Sequence, residues 1–445
     1  MSLRSFICLL AIVFCLPVEA QNKKVVKIAC LGASICAGAR LQHPEKESYP
    51  AQIGRLLGDG YQVTNYGVSS STLLKKGDFS YWNTGAFKEA LQSNPDIVLI
   101  DLGGNDAKLV NRVHLDEYEQ DYHSMIRQFK ALPSHPRIIL LQPIVSFVKD
   151  TAGIWNPAIE RILPKVRQVA FDEQVEIVKL NALLIGKPAL MPDGIHPELE
   201  GTTLMAKTLF EVLNTKRDTS FQIAKHLPAP QQISSFFGYK CYDFTYNNRN
   251  CKVVAPRFAA AGHPWIWRAI AVLERGYHVV YCDVAELFGN KEAVNLWNGF
   301  YKLLRKGGLA QKAVMEGMSR GAIYVYNWAI ANPNSVAAVY VDNPVMDLIS
   351  WPGSQYTRQL ASRTEWDAFK KDYGFTSDVE AVKFKGSPLY KAKAIVKGKY
   401  PMLHVLGDAD TDVPPVDNTL PFEEAIKKLG GNITVMHKPG FAHHP

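Results

Sequence analysis

Four short stretches in the first half of this 445-residue chain carry residues that could build a nucleophile and its helpers. GASICAG puts Ser34 just after the apolar run KVVKIACL, where a strand would turn into a helix. NYGVSSST holds Gly67, and GGND (Gly103–Asp106) directly follows PDIVLIDL. PDGIHPELEG holds Asp193 and His196 three residues apart in a loop before a helical pattern. That spacing lets the carboxylate reach one imidazole nitrogen while the other faces a serine hydroxyl. The aspartate then fixes the tautomer, the histidine takes the serine proton, and the hydroxyl becomes a nucleophile. The backbone N–H groups of Ser34 and Gly67 and the side-chain amide of Asn105 are three donors, enough for an oxyanion hole.

The second half carries another candidate. EGMSRG contains Gly317-Met318-Ser319-Arg320-Gly321, a Gly-x-Ser-x-Gly pattern between the strand-like KAVM and the helix-like AIYVYNWAIANP. A nucleophile elbow needs that context, because the sharp turn calls for small residues two positions before and after the serine, here Gly317 and Gly321. HVLGDADTDVPP supplies Asp408, Asp410 and Asp412 as acids, and KPGFAHHP supplies His443 and His444 as bases. The chain order Ser, Asp, His is that of an α/β-hydrolase triad.

The elements that must position these residues are legible as alternating strands and helices. Strands are expected at KVVKIACLG, PDIVLIDLG, RIILLQP and VEIVKLN, with amphipathic stretches such as EYEQDYHSMIRQFKAL between them. This alternation implies a parallel sheet covered by helices on both faces, with ligands beyond the carboxyl ends of the strands. The series ends with EGTTLMAKTLFEVLN near Asn214; residues 215–234 read as a linker. A hairpin, GYKCYDFTYNNRNCKVVAP, opens a second series: HVVYCDV, KAVMEGMS, VAAVYVDNP, PMLHVLGDAD and NITVMHKPG. Two α/β domains in tandem are expected, over residues 22–214 and 235–445.

The segment from about residue 25 to 214 resembles the SGNH (GDSL-type) hydrolases, whose four blocks match Ser34, Gly67, the Gly-x-Asn-Asp stretch and the Asp-x-x-His stretch. The resemblance implies a flavodoxin-like three-layer α/β/α domain. It also implies Ser34 as nucleophile, an oxyanion hole of Ser34, Gly67 and Asn105, and Asp193 and His196 as the rest of the triad. The departure is Ala33, where the family has Asp or Asn. Residues from about 235 onward resemble α/β-hydrolases of the serine-esterase and dipeptidyl-peptidase-like kind. That resemblance selects Asp410 and His443, with Asp412 and His444 as fallbacks. It makes the Arg320 N–H one oxyanion donor and places the other near Trp265. Two departures follow: the segment after Trp267 is short for this group, and the sequence stops at Pro445, where the fold normally adds a helix.

Bulk properties agree with this reading. The chain is 47% apolar and 21% charged, so it is globular. Its net charge of +8 is spread along the chain without a basic run, which argues against a nucleic-acid partner. Residues 1–20 read as a signal peptide: Arg4, then FICLLAIVFCL, then Val18-Glu19-Ala20 before Gln21. The apolar run is too short for a membrane span, and Phe14 before Cys15 argues against lipidation. A secreted or periplasmic protein is expected. Of the five later cysteines, Cys241 and Cys251 flank the hairpin and are the pair that could bridge. No metal or cofactor is implied. Two esterase-type domains on an exported chain point to an acylated polysaccharide or oligosaccharide, with Trp82 and Trp155 as candidate sugar-stacking residues. The alternatives are a lipase or sialate O-acetylesterase-type enzyme, with the second domain a peptidase or a non-catalytic carbohydrate-binding platform.

Overall fold

The computed structural model describes residues 25–267, 272–353 and 362–443. The leader-like residues 1–20 and His444 therefore lie outside the described residues. Five strands form the first sheet: β1 (Val26–Gly32), β2 (Tyr61–Gly67), β3 (Ile97–Asp101), β4 (Arg137–Leu141) and β5 (Glu176–Val178). Their order is β2-β1-β3-β4-β5 and every pair is parallel. The central strands are apolar throughout because both faces are covered. Ile28 and Cys30 of β1 face the helices Tyr49–Leu57 and Leu199–Asn214. Ala29 and Leu31 face Gly85–Gln92, Tyr118–Lys130 and Asn156–Glu173. Edge strand β2 has no apolar run, only YQVTNYG with no residue fully buried, so periodicity did not reveal it.

The stretch read as a linker is tied down. Its β6 (Arg217–Asp218) pairs with a later strand, and β7 (Gln232–Phe236) is the edge of the second sheet. Beyond β7 come the hairpin strands β8 (Tyr239–Tyr246) and β9 (Arg249–Ala255), then β10 (Ala259–Ala260), the partner of β6. The rest are β11 (Trp265–Trp267), β12 (His278–Cys282), β13 (Ala313–Met318), β14 (Val336–Asp342), β15 (Met402–Gly407) and β16 (Ile433–Lys438). The nine-stranded order is β16-β15-β14-β13-β11-β12-β9-β8-β7, antiparallel from β7 to β12 and parallel from β12 to β16. Both sheets are α/β, as the alternating pattern implied.

One face of this sheet packs on its own helices, Lys291–Lys306, Gly321–Ala331 and Thr419–Lys428. On the other, the connection from β11 to β12 contains one described turn of 3-10 helix, Leu273–Arg275, and no α-helix among the described residues. The first domain covers that area. Tyr239, Cys241, Val254, Ile266, Leu273 and Val279 share one buried cluster with Val166, Val169 and Ala170 of helix Asn156–Glu173. Polar ties flank it: Tyr239 donates to Ile177 O at 2.8 Å, and the Lys179 N–H to Glu274 Oε2 at 3.1 Å.

The cysteine expectation is corrected by register. Cys241 lies opposite Val254, whereas Cys251 lies opposite Phe244 on one side and Cys282 on the other. Cys241 and Cys251 belong to cores on opposite faces of the sheet, so they cannot bridge.

Candidate active sites

Ser34 opens the one-turn helix Ser34–Ala37 immediately after β1 and Ala33. Its Oγ lies 2.9 Å from His196 Nε2, and His196 Nδ1 lies 2.7 Å from Asp193 Oδ2. Asp193 Oδ1 accepts the backbone N–H groups of Ile195 and His196 at 2.9 and 2.7 Å. Partial burial pushes the Asp193 carboxyl up. The hydrogen bonds from the His196 backbone and ring and from Ile195 outweigh this and hold it at about 2. A carboxylate ionised at neutral pH keeps the proton on Nδ1, which leaves Nε2 to accept the serine hydroxyl.

Asn105 begins a short 3-10 helix after β3, is buried, and donates one amide hydrogen to Ser71 O at 3.0 Å. Its second amide hydrogen is not used by that bond. Gly67 departs from its expected part. Its N–H is already donated to Asn65 Oδ1 at 2.9 Å. Its lack of a side chain matters instead, because a Cβ there would sit 2.4 Å from Ala37 N. Glycine at this position lets β2 approach the nucleophile helix. Three residues on, Ser70 takes a φ of 68°, the left-handed region that a non-glycine residue adopts at a cost. No residue-type rule marked Ser70. Nor did any mark Arg40, whose Nε stands 3.2 Å from Asp193 Oδ2, or Asp101, which lines the same cavity as Ser34.

That cavity is small, about 30 Å³, and Ile144, Val145, Ile154, Ile159 and Ile195 make most of its apolar wall. Asp101 is the buried carboxyl on its edge, and burial pushes its pKa up to about 7. Trp82 and Trp155 are engaged elsewhere. Trp82 donates to Leu73 O at 2.8 Å and has the Lys75 ammonium 4.3 Å from its ring centre. The Arg112 guanidinium lies 5.2 Å from that of Trp155.

The second array has the same topology of contacts. Ser319 follows β13 at a φ of 51° and precedes helix Gly321–Ala331. Its Oγ lies 2.9 Å from His443 Nε2, and His443 Nδ1 lies 2.7 Å from Asp410 Oδ2. Asp410 is buried, and its Oδ1 accepts the N–H groups of Asp412 and Val413 at 3.0 and 2.9 Å. Asp412 thus supports Asp410 through its backbone. Asp408 pairs with His437 at 2.7 Å. The Asp410 hydrogen bond raises the His443 pKa above its ordinary value.

Arg320 starts the helix after Ser319, and its guanidinium reaches Glu365 at 3.0 Å and Glu286 at 3.2 Å. Trp265 is at the wrong end of its strand. It pairs with His278 at the start of β12, and its indole N–H is donated to Ala310 O at 2.7 Å. Ser319 lies beyond the opposite, carboxyl end of the neighbouring β13. Trp267, two residues later, does line the Ser319 cleft, which has a volume of about 500 Å³ and also includes Trp297, Tyr324 and Trp351.

The fold and sites together define two α/β units, each with a serine–histidine–aspartate array at the carboxyl ends of its parallel strands. Residues 30–204 match the GDSL-like Lipase/Acylhydrolase family, so the first domain is a domain of that family. A protein of Xylanibacter ruminicola named acetylxylan esterase is 36% identical over 211 residues, which cover 43% of this chain and 44% of that protein. The chain therefore matches less than half the length of that relative. Among solved structures, an arylesterase-titled protein of Agrobacterium tumefaciens is 16% identical, with a TM-score of 0.37 over 42% of this chain and 98% of its own. An acylaminoacyl peptidase of Pyrococcus horikoshii is 18% identical, with a TM-score of 0.34 over 50% of this chain and 38% of its own.

Proposed function

We propose that this chain is an exported carbohydrate esterase with two serine active sites, the first of which removes acetyl groups from a polysaccharide or oligosaccharide. The observation that carries this reading is the Ser34–His196–Asp193 array opening on an apolar cavity of about 30 Å³. A small apolar space beside the nucleophile suits a short acyl group such as acetyl. The likeness to a protein named acetylxylan esterase supports the same substrate class.

In the forward step Ser34 Oγ attacks the ester carbonyl while His196 Nε2 takes its proton. The tetrahedral oxyanion is held by the Ser34 N–H and the Asn105 amide. The third donor is assigned to the Ser70 N–H, since that of Gly67 is engaged by Asn65. His196 then protonates the ester oxygen of the sugar as its bond to the carbonyl carbon breaks, so that the sugar leaves as the alcohol and an acetyl-serine remains. A water, deprotonated by the same histidine, releases acetate. Asp193 stays ionised throughout and stabilises the imidazolium.

Ser319, His443 and Asp410 take the same parts in the second site, with the Arg320 N–H as an oxyanion donor. Its aromatic-walled cleft of about 500 Å³ suits a bulkier acyl group than acetyl.

The test is acetate release from acetylated xylan by wild type, Ser34→Ala, Ser319→Ala and the double variant, each checked for folding. Ser34→Ala is expected to reduce release by about a thousandfold or more, with Ser319→Ala near wild type. Full release by folded Ser34→Ala would overturn the assignment of the first site.

A further inference from the structure

We propose that Cys251 and Cys282 are a disulfide pair, closed by a thiol–disulfide oxidant while the chain folds, and that the bond ties β9 to β12 at the wall of the Ser319 cleft. The inference does not depend on either serine being active. It begins with register: Cys282 stands directly opposite Cys251 in the antiparallel ladder of β9 and β12. The next pair outward is Asn250 and Asp283, and it is joined by the Asp283 N–H to Asn250 O at 3.0 Å. Hydrogen-bonded and non-hydrogen-bonded pairs alternate along such a ladder, so the cysteines occupy a non-hydrogen-bonded position. There the Cα atoms lie about 4.5 Å apart, within the ~4.4–6.8 Å span of disulfides. Both side chains also point to the same face, into the core under helices Lys291–Lys306 and Gly321–Ala331.

Burial fits a structural bond rather than a reactive thiol. Cys251 and Cys282 are 1% and 4% exposed. Both are free thiols in this structure, and among the described residues their hydrogen bonds are long ones to backbone carbonyls, Arg249 O and Asp283 O, each at 3.7 Å. Interaction with Cys251 and then burial push the Cys282 thiol far up in pKa, in keeping with the register that sets the two residues opposite one another. Such thiols react slowly once the sheet has closed, so oxidation belongs to the folding chain.

One thiolate attacks the oxidant's disulfide, forms a mixed disulfide and releases one reduced thiol. The second cysteine thiolate then displaces the other. Two electrons pass to the oxidant, and the two protons end on its thiols. Cys282 itself lines the Ser319 cleft, and its carbonyl accepts the Trp297 indole N–H at 3.3 Å, so the bond would fix the strand that carries this wall.

The test is peptide mapping of the full chain produced in an oxidising compartment, and again after refolding with excess oxidised glutathione. Free thiols are alkylated in denaturant before digestion. The expected result is one linked peptide pair joining Cys251 to Cys282. Finding both cysteines alkylated, or either joined to Cys241 or to glutathione, would overturn the pairing. Reductant should also lower the melting midpoint of wild type by about 5 °C and leave Cys251→Ala/Cys282→Ala unchanged. A wild-type midpoint indifferent to reductant would overturn the bracing role.

Discussion

His443 and Asp101 are the two residues whose environments give the sharpest expectations. The Asp410 hydrogen bond favours the imidazolium of His443 and raises its pKa, so the second site should lose its base at a higher pH than an ordinary histidine would. The acid limb of Ser319-dependent hydrolysis, measured in Ser34→Ala to remove the first site, should therefore lie above about pH 6.5. Asp410→Asn should move that limb down and cut kcat by about 10³–10⁴-fold, because the histidine loses both its charge partner and its tautomer. Asp101 bears on stability instead. Its folded pKa is about 7 against an ordinary 3.8, so the folded chain keeps a proton that the unfolded chain releases in between. Stability should fall as pH rises from about 4 to about 7. Asp101→Asn should flatten that part of the melting-temperature profile, and an unchanged slope would refute the assignment.

At the scale of elements, close approach places each nucleophile. A Cβ on Gly67 would meet Ala37 N at 2.4 Å, and one on Gly317 would meet Ala322 N and Gly321 O at 2.9 Å. Neither obstacle is a flexible side-chain end, so in each case the strand must give way from the helix at the nucleophile turn. Gly67→Ala should lower the melting temperature and reduce kcat at the first site, while the Ser319 site keeps its rate. Assays of the two sites in the background of the other's serine-to-alanine variant separate these effects. Both helices begin within three residues of a strand end, which aims each serine beyond the sheet, where its histidine arrives from a loop.

At the scale of the whole molecule, the second sheet relies on the first domain for cover. Ile266, Leu273 and Val279 pack into the first domain's cluster, where the described part of the β11–β12 connection supplies a single 3-10 turn. Residues 235–445 expressed alone should therefore expose that face and aggregate, whereas the intact chain stays monodisperse. Tyr239→Phe, which leaves Ile177 O without its 2.8 Å donor, should cost about 1 kcal/mol in the intact chain, read by denaturant melting. A well-folded, monodisperse fragment would show that the shared core is dispensable.

The sequence by itself determined the α/β class and most of the strands, and it singled out Ser34, Asp193, His196, Ser319, Asp410 and His443, which the structure brings within hydrogen-bond reach. Strand periodicity is a local property, and a serine at a strand end or an Asp-x-x-His loop is a local pattern. The tertiary structure decided what depends on who faces whom. Gly67 looked like a donor, but its N–H is turned toward Asn65. Trp265 looked like part of the mouth, but parallel pairing sets it at the far end of β11. Cys241 and Cys251 looked like hairpin partners, but the side-chain alternation of strands sends them to opposite faces and sets Cys251 against Cys282 instead. Register across strands distant in sequence is fixed by the packing of the whole sheet, and no single stretch of residues carries it.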